Sequence, residues 1–180
     1  MIDYSDHGVV WYAMKTVYKK ELLAKKYLDA HDVENFLPMV KDDSGRFGRK
    51  CEGLKPAIHN LIFIKTNLAK LNDIKISLNY LHNKLMTTEE GVSVPIIVPT
   101  KQMEQFIYAM TKLLDKITYI DLSTTKIEKG TPVRIIDGDF KGFEGELERV
   151  KGKRSRTVHV ILQGIVGFKC EINACHIEKI

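Results

Sequence analysis

Gly130–Val150, GTPVRIIDGDFKGFEGELERV, is the stretch that decides how the C-terminal part of this 180-residue chain folds. Val133 and Ile135 alternate with Arg134 and Ile136 ahead of a turn at Asp137-Gly138-Asp139, and Gly142 and Gly145 punctuate a return run through Leu147. Alternation of period two, broken by Asp-Gly, is the pattern of a β-hairpin. Glycines in the return run suit a strand that bends sharply. Past a basic tip, Lys151 to Arg156, a second alternating run carries Val158, Val160 and Leu162, with Gly164 and Gly167 as turn candidates before a strand around Phe168 to Ile172. Four or five short strands in about fifty residues predict a very small closed β-barrel.

Upstream the pattern changes. Residues 1–8 carry no periodicity and read as a disordered leader. Val9–Met14 has the length of a strand, and Val17–Ala30 reads as an amphipathic helix with Leu23, Ala24, Tyr27 and Leu28 on one face. Val33–Val40 reads as a second strand in which Pro38 marks an edge or bulge, completing a βαβ opening. Lys41–Lys55 is basic and reads as an exposed loop or a hairpin tip. Leu61-Ile62-Phe63-Ile64 is continuously apolar, as a central strand is, and Asn67 stands as N-cap of a helix with Leu68, Leu71 and Ile74. A weaker strand falls near Leu81–Met86 and another between Pro95 and Pro99. Thr100 then caps a helix in which Met103, Phe106, Ile107, Met110 and Leu114 keep helical spacing. Lys116–Lys129 has no sustained period and reads as a linker. The expected organisation is α+β: an N-terminal αβ sandwich with an antiparallel-type sheet over 9–115, a linker over 116–129, and an SH3-like β-barrel over 130–180.

Composition narrows the function. The formal charge is +5, a modest excess that suits a phosphate-bearing partner. With no run of eighteen apolar residues and no charged start leading into an apolar segment, the reading is of a cytoplasmic protein without a membrane partner. Three cysteines, Cys51, Cys170 and Cys175, have no framework spacing. Cys170, Cys175 and His176 lack the second half that a zinc site needs, so no metal is expected. HExxH, GxSxG and the P-loop pattern are all missing, so neither an enzyme nor a cofactor is expected.

The hairpin resembles the KOW motif, a short apolar strand, an Asp-Gly turn and a glycine-rich return. Taken with the N-terminal order of elements, the chain resembles the NusG family of transcription elongation factors. Trp11-Tyr12 stands at the family's Trp-Tyr on the first strand, and Leu37-Pro38-Met39 at the close of the second. Ile58, His59, Asn60, Leu61 and Phe63 stand along the family's Phe-Pro-Gly/Asn-Tyr-Val/Leu-Phe-Val stretch, with the proline and tyrosine replaced. Pro95–Ile107 is similar to the apolar strand, Val-Pro and final helix. Compact length, the segment Asp121–Gly130 and the ending His176–Ile180 are most similar to the specialised UpxY-type paralogues, relatives of RfaH.

The resemblance implies a binding protein that grips the clamp helices of RNA polymerase and suppresses pausing or termination, operon-specifically and, as UpxY-like proteins do, for capsular polysaccharide synthesis. It places Trp11, Leu61 and Phe63 on the polymerase-binding face with Ile58 at its rim; the same residues also read as plain core. Lys19, Lys20, Lys25 and Lys26 form either a solvated surface or a patch for the non-template DNA strand or nascent RNA, and Arg46, Arg49 and Lys50 either extend that patch, reach the polymerase or are a solubilising loop. In the KOW domain, Phe140 and Phe143 flank Gly142, one packed inside and the other a candidate for the surface. Lys151, Lys153, Arg154 and Arg156 form a basic tip beside them. This second surface is the family's site for a ribosomal protein or Rho, although Gln163-Gly164 replaces an apolar contact there. The competing class is a KOW-containing ribosomal or RNA-binding protein, which would need neither the N-terminal domain nor so small a basic excess.

Overall fold

The computed structural model describes residues 8–42, 53–122, 130–148 and 155–180. They belong to two compact units, Met1–Met103 and Glu104–Ile180.

The first unit is built on β1 (Val10–Thr16), α1 (Glu21–Ala30), β2 (Asn35–Phe36), β3 (Met39–Lys41), β4 (Leu54–Pro56), β5 (Leu61–Thr66), α2 (Leu68–Ser77), β6 (Leu81–Asn83), β7 (Leu85–Thr87), β8 (Ser93–Pro95) and β9 (Ile97–Val98). Its main sheet has the order β2-β5-β1-β6, with β9 also on β1, and every recorded pairing is antiparallel. The βαβ opening is therefore split. β5 lies between β1 and β2, so those two strands run parallel without touching.

Alternation sorts the side chains of this sheet. Tyr12 and Met14 of β1, with Ile62 and Ile64 of β5, meet Ala24 and Leu28 of α1 and Leu71 and Ile74 of α2 in one core. Each fully buried aliphatic side chain contributes about 1.5–3 kcal/mol. Trp11, Ala13, Leu61 and Phe63 point to the opposite face and are also buried. A strand buried on both faces needs the continuous apolar run that the sequence has.

Helix ends follow local chemistry. Asn67 caps α2, its side-chain oxygen accepting from the Lys70 N–H at 2.8 Å. α1 starts later than the expected Val17, because Tyr18 and Lys19 adopt φ of 56° and 55°. Leu23, expected on its apolar face, is exposed. Leu37-Pro38 divides the second expected strand into β2 and β3, and the Pro95–Pro99 stretch into β8 and β9 splits likewise at Ile96. α3 (Thr100–Lys112) takes Thr100 as a helical residue rather than its cap, and Leu113, not Leu114, is the buried residue at its end. The division between the units falls within this helix.

The second unit holds six strands, β10 (Ile117–Asp121), β11 (Thr131–Ile135), β12 (Glu144–Glu148), β13 (Ser155–Leu162), β14 (Val166–Asn173) and β15 (Ile177–Lys179), in one antiparallel sheet of order β10-β14-β13-β12-β11-β15. The expected hairpin is β11-β12, with Thr131 opposite Leu147 and Val133 opposite Gly145. Gly145 has no room for a side chain, since a Cβ would strike the His159 carbonyl. Gly142 sits at φ +86° in the turn, whereas Gly167, expected in a turn, lies inside β14.

Two expectations change here. Ile117–Asp121, read as the start of the linker, pairs along its whole length with β14, from Ile117↔Cys170 to Asp121↔Val166. Its β-branched and aromatic residues favour a strand despite their mixed polarity. The closed barrel becomes, among the described residues, a sheet with two ends: β10 adds a strand beyond the expected set, and the three-residue β15 pairs only with β11. The linker residues 123–129 lie outside the described residues.

Candidate functional site

Trp11, Leu61 and Phe63 share one face of the first unit's sheet, where Ala13 lies opposite Phe63, Lys15 opposite Leu61 and Lys65 opposite Trp11. They are 2%, 1% and 0% exposed. The Lys65 ammonium stands 5.8 Å from the centre of the Trp11 ring, within cation–π range. The Trp11 indole N–H is buried without a hydrogen-bond partner. Ile58 is half-buried in the turn before β5. Trp11, Leu61 and Phe63 are thus a buried apolar layer, which removes them from an exposed partner surface, and Ile58 is the half-buried residue of the expected set.

The four N-terminal lysines separate by partner. Lys25 pairs with Asp29 at 3.1 Å and also donates to Asn35 at 3.4 Å, and Lys20 lies 4.8 Å over the Tyr80 ring. Lys19 and Lys26 are exposed. Arg46, Arg49 and Lys50 lie outside the described residues.

Glu21, the first residue of α1, escaped the sequence reading because a carboxylate beside two lysines looks like surface. It is 1% exposed and accepts from Thr16 Oγ1 at 3.3 Å and from His59 Nδ1 at 3.0 Å. Burial pushes the Glu21 carboxyl up, but hydrogen bonds from His59, from its own N–H and from the Asn60 N–H, together with the His59 charge, outweigh burial and hold it below its ordinary 4.5. Around it the turn after β1 and the turn before β5 are bound together: the Lys19 N–H donates to Asn60 Oδ1 at 2.9 Å and the Thr16 N–H to the Asn60 carbonyl at 3.2 Å.

A carboxyl held low in the folded state leaves the unfolded chain binding more protons as pH falls past 4.5. Its stabilisation is therefore complete above that value and is lost as pH falls through the folded one. Urea unfolding between about pH 3 and 6 should show a steeper acid loss for the natural chain than for Glu21→Gln. Equal slopes would show that Glu21 has no such role.

In the second unit Phe140 and Phe143 are both 4% exposed, which removes them from the expected partner surface. They meet edge-on at 5.8 Å, and the Phe168 ring lies 6.2 Å and 6.0 Å from them and 6.4 Å from Phe106 of α3. Four buried aromatic rings gathered around Phe168 are a core, and Gln105 adds a hydrogen bond to the Gly142 carbonyl at 2.9 Å. Arg156 is half-buried on β13, while Lys151, Lys153 and Arg154 lie outside the described residues. Cys170 is buried with its thiol pushed up to about 12 by desolvation, whereas Cys175 is exposed. Among the described residues no group of three His, Cys, Asp or Glu is placed to hold a metal ion, and no helix is long and apolar enough to cross a membrane.

A family model described as transcription termination factor nusG matches residues 9–107, more than half of the chain. No curated protein matches. Among solved structures the chain is similar to Thermotoga maritima NusG, in a structure concerned with domain interaction, at 19% identity over 96% of this chain and 97% of that one, with a TM-score of 0.46. It is also similar to a chain of the MjSpt4:Spt5 complex in conformation B, at 15% identity over 94% and 96% of the two chains, with a TM-score of 0.29.

Proposed function

Because the chain belongs to the NusG family of transcription factors, we propose that it is an elongation and antitermination factor that acts by binding RNA polymerase. The observation that carries this reading is the family match over 9–107, the stretch that supplies the apolar face of Trp11, Leu61 and Phe63. Ile58, the half-buried member of the set, contacts the polymerase clamp helices, while the buried Trp11, Leu61 and Phe63 support the strands beneath, and binding favours the closed, pause-resistant clamp. A binding protein shifts such an equilibrium by its differential affinity for the two states, and a few kcal/mol is enough. No bond is made or broken.

The finer proposal is an operon-specific factor of the UpxY type, working in the cytoplasm on capsular polysaccharide operons. The resemblance of residues 121–130 to that group supports it. Lys19 and Lys26 serve as phosphate contacts on the non-template strand. A ribosomal protein or Rho, if engaged by the second unit, meets its basic residues rather than Phe140 and Phe143.

The test is binding of the full chain to purified core RNA polymerase. The natural chain should bind, and Ile58→Glu should bind about tenfold or more weakly with an unchanged circular dichroism spectrum. A folded natural chain that does not bind would overturn the reading and transfer it to a ribosomal or RNA partner.

A further inference from the structure

Ile58 sits in the corner where the chain leaves the β3–β4 pair and enters the main sheet at β5. Only residues 57–60 make this turn, so the half-buried Ile58 side chain is aimed by what holds its neighbours. Both neighbours are held. On one side the Ala57 N–H donates to the Pro38 carbonyl at 2.8 Å. On the other, His59 Nδ1 stands 3.0 Å from Glu21 Oε1, and the Asn60 N–H bonds the same carboxylate.

Glu21 is a fixed point for such a tether. It is 1% exposed, and it also accepts from Thr16 Oγ1 at 3.3 Å and from its own N–H. A buried carboxylate persists only where donors surround it, and these come from the end of β1, the start of α1 and the turn before β5. An ionised carboxylate can only accept, so His59 Nδ1 is the donor, and a bond to a charged acceptor is among the stronger ones. Asn60 is gripped from the other side as well, its Oδ1 by the Lys19 N–H and its carbonyl by the Thr16 N–H. Its φ of 63° is a conformation that a residue with a side chain keeps when its surroundings enforce it. His59 differs from the rest of this network in reaching it from outside, with 52% of its side chain in solvent against 2% for Glu21. What it contributes is a polar tie.

We propose that His59, tethered to Glu21, is a positioning residue that holds Ile58 in the pose RNA polymerase recognises. The inference rests on the reading of Ile58 as a polymerase contact and adds the group that presents it. A loosened turn would offer Ile58 correctly for only part of the time, and apparent affinity falls by that fraction. A contact held in place before binding avoids the cost of ordering it.

The test is binding of the full chain to purified core RNA polymerase, with a circular dichroism spectrum for every variant. His59→Leu, which donates nothing to Glu21, should bind about fivefold more weakly, whereas His59→Asn, whose amide N–H can take the place of Nδ1, should stay within about twofold of the natural chain. In an Ile58→Ala background His59→Leu should cost nothing more, because the two act through one contact. Hydrogen exchange of the Asn60 amide, measured without polymerase, should quicken in His59→Leu and not in His59→Asn. If His59→Leu does not fold, His59→Ala decides by the same comparisons. Equal binding by His59→Leu and the natural chain would overturn the inference and leave the polymerase contact standing. An equal loss in the Ile58→Ala background would also overturn it, since His59 would then support the fold and not Ile58, as would a loss in His59→Asn as large as that in His59→Leu. A folded natural chain that does not bind polymerase overturns the underlying reading and this inference together.

Discussion

Phe63→Ala removes about 3–5 kcal/mol of stability from the first unit. The ring is fully buried in the middle of β5, between Ala13 of β1 and Phe36 of β2, its neighbours in register. Truncation forfeits the transfer energy of the ring and leaves a cavity that two paired strands cannot close. In a protein stable by 5–15 kcal/mol this is a large fraction, and thermal unfolding should begin more than about 10 °C lower. The result also tests the ring's place in the core. A cost below about 1 kcal/mol would make the ring a surface group available to a partner, whereas the full cost makes it a support of the sheet. In the second case loss of polymerase binding by Phe63→Ala, Leu61→Ala or Trp11→Ala reports unfolding first, and Ile58, at the margin, is the informative position.

What was legible in the sequence was whatever depends on period and on caps. The apolar run Leu61–Ile64 announced a strand covered on both faces, and Asn67 announced the start of α2 because a side-chain oxygen at that place satisfies a free helix N–H. β11 and β12 were legible because alternation and an Asp-Gly turn both point to a hairpin. Three features were hidden for physical reasons. Ile117–Asp121 has a strand's residue types without an apolar alternation, since it is an edge strand whose pairing with β14 supplies the order. Glu21 is indistinguishable in sequence from a surface carboxylate, because its donors come from Thr16, and from His59 and Asn60 across the sheet. The left-handed turn at Tyr18 and Lys19 carries no glycine to reveal it, being imposed by Asn60 from a distant position in the chain.

Phe168→Ala is expected to cost the second unit about 3–5 kcal/mol, and its effect should not add simply to that of Phe143→Ala. Phe168 is fully buried and its ring stands 6.0 to 6.4 Å from Phe143, Phe140 and Phe106, so removing it strips a shared neighbour from all three. Aromatic pairs in such contact gain about 0.5–1.5 kcal/mol beyond area burial, and a double-mutant cycle of Phe143→Ala and Phe168→Ala should recover a coupling of that order. Urea unfolding followed by amide hydrogen exchange in β11 to β14 measures both quantities where they arise. A cost below about 1 kcal/mol for Phe143→Ala, with no coupling to Phe168, would return that ring to the surface and reopen it as a contact for a partner. The expected cost and coupling make it part of the core that shapes the sheet.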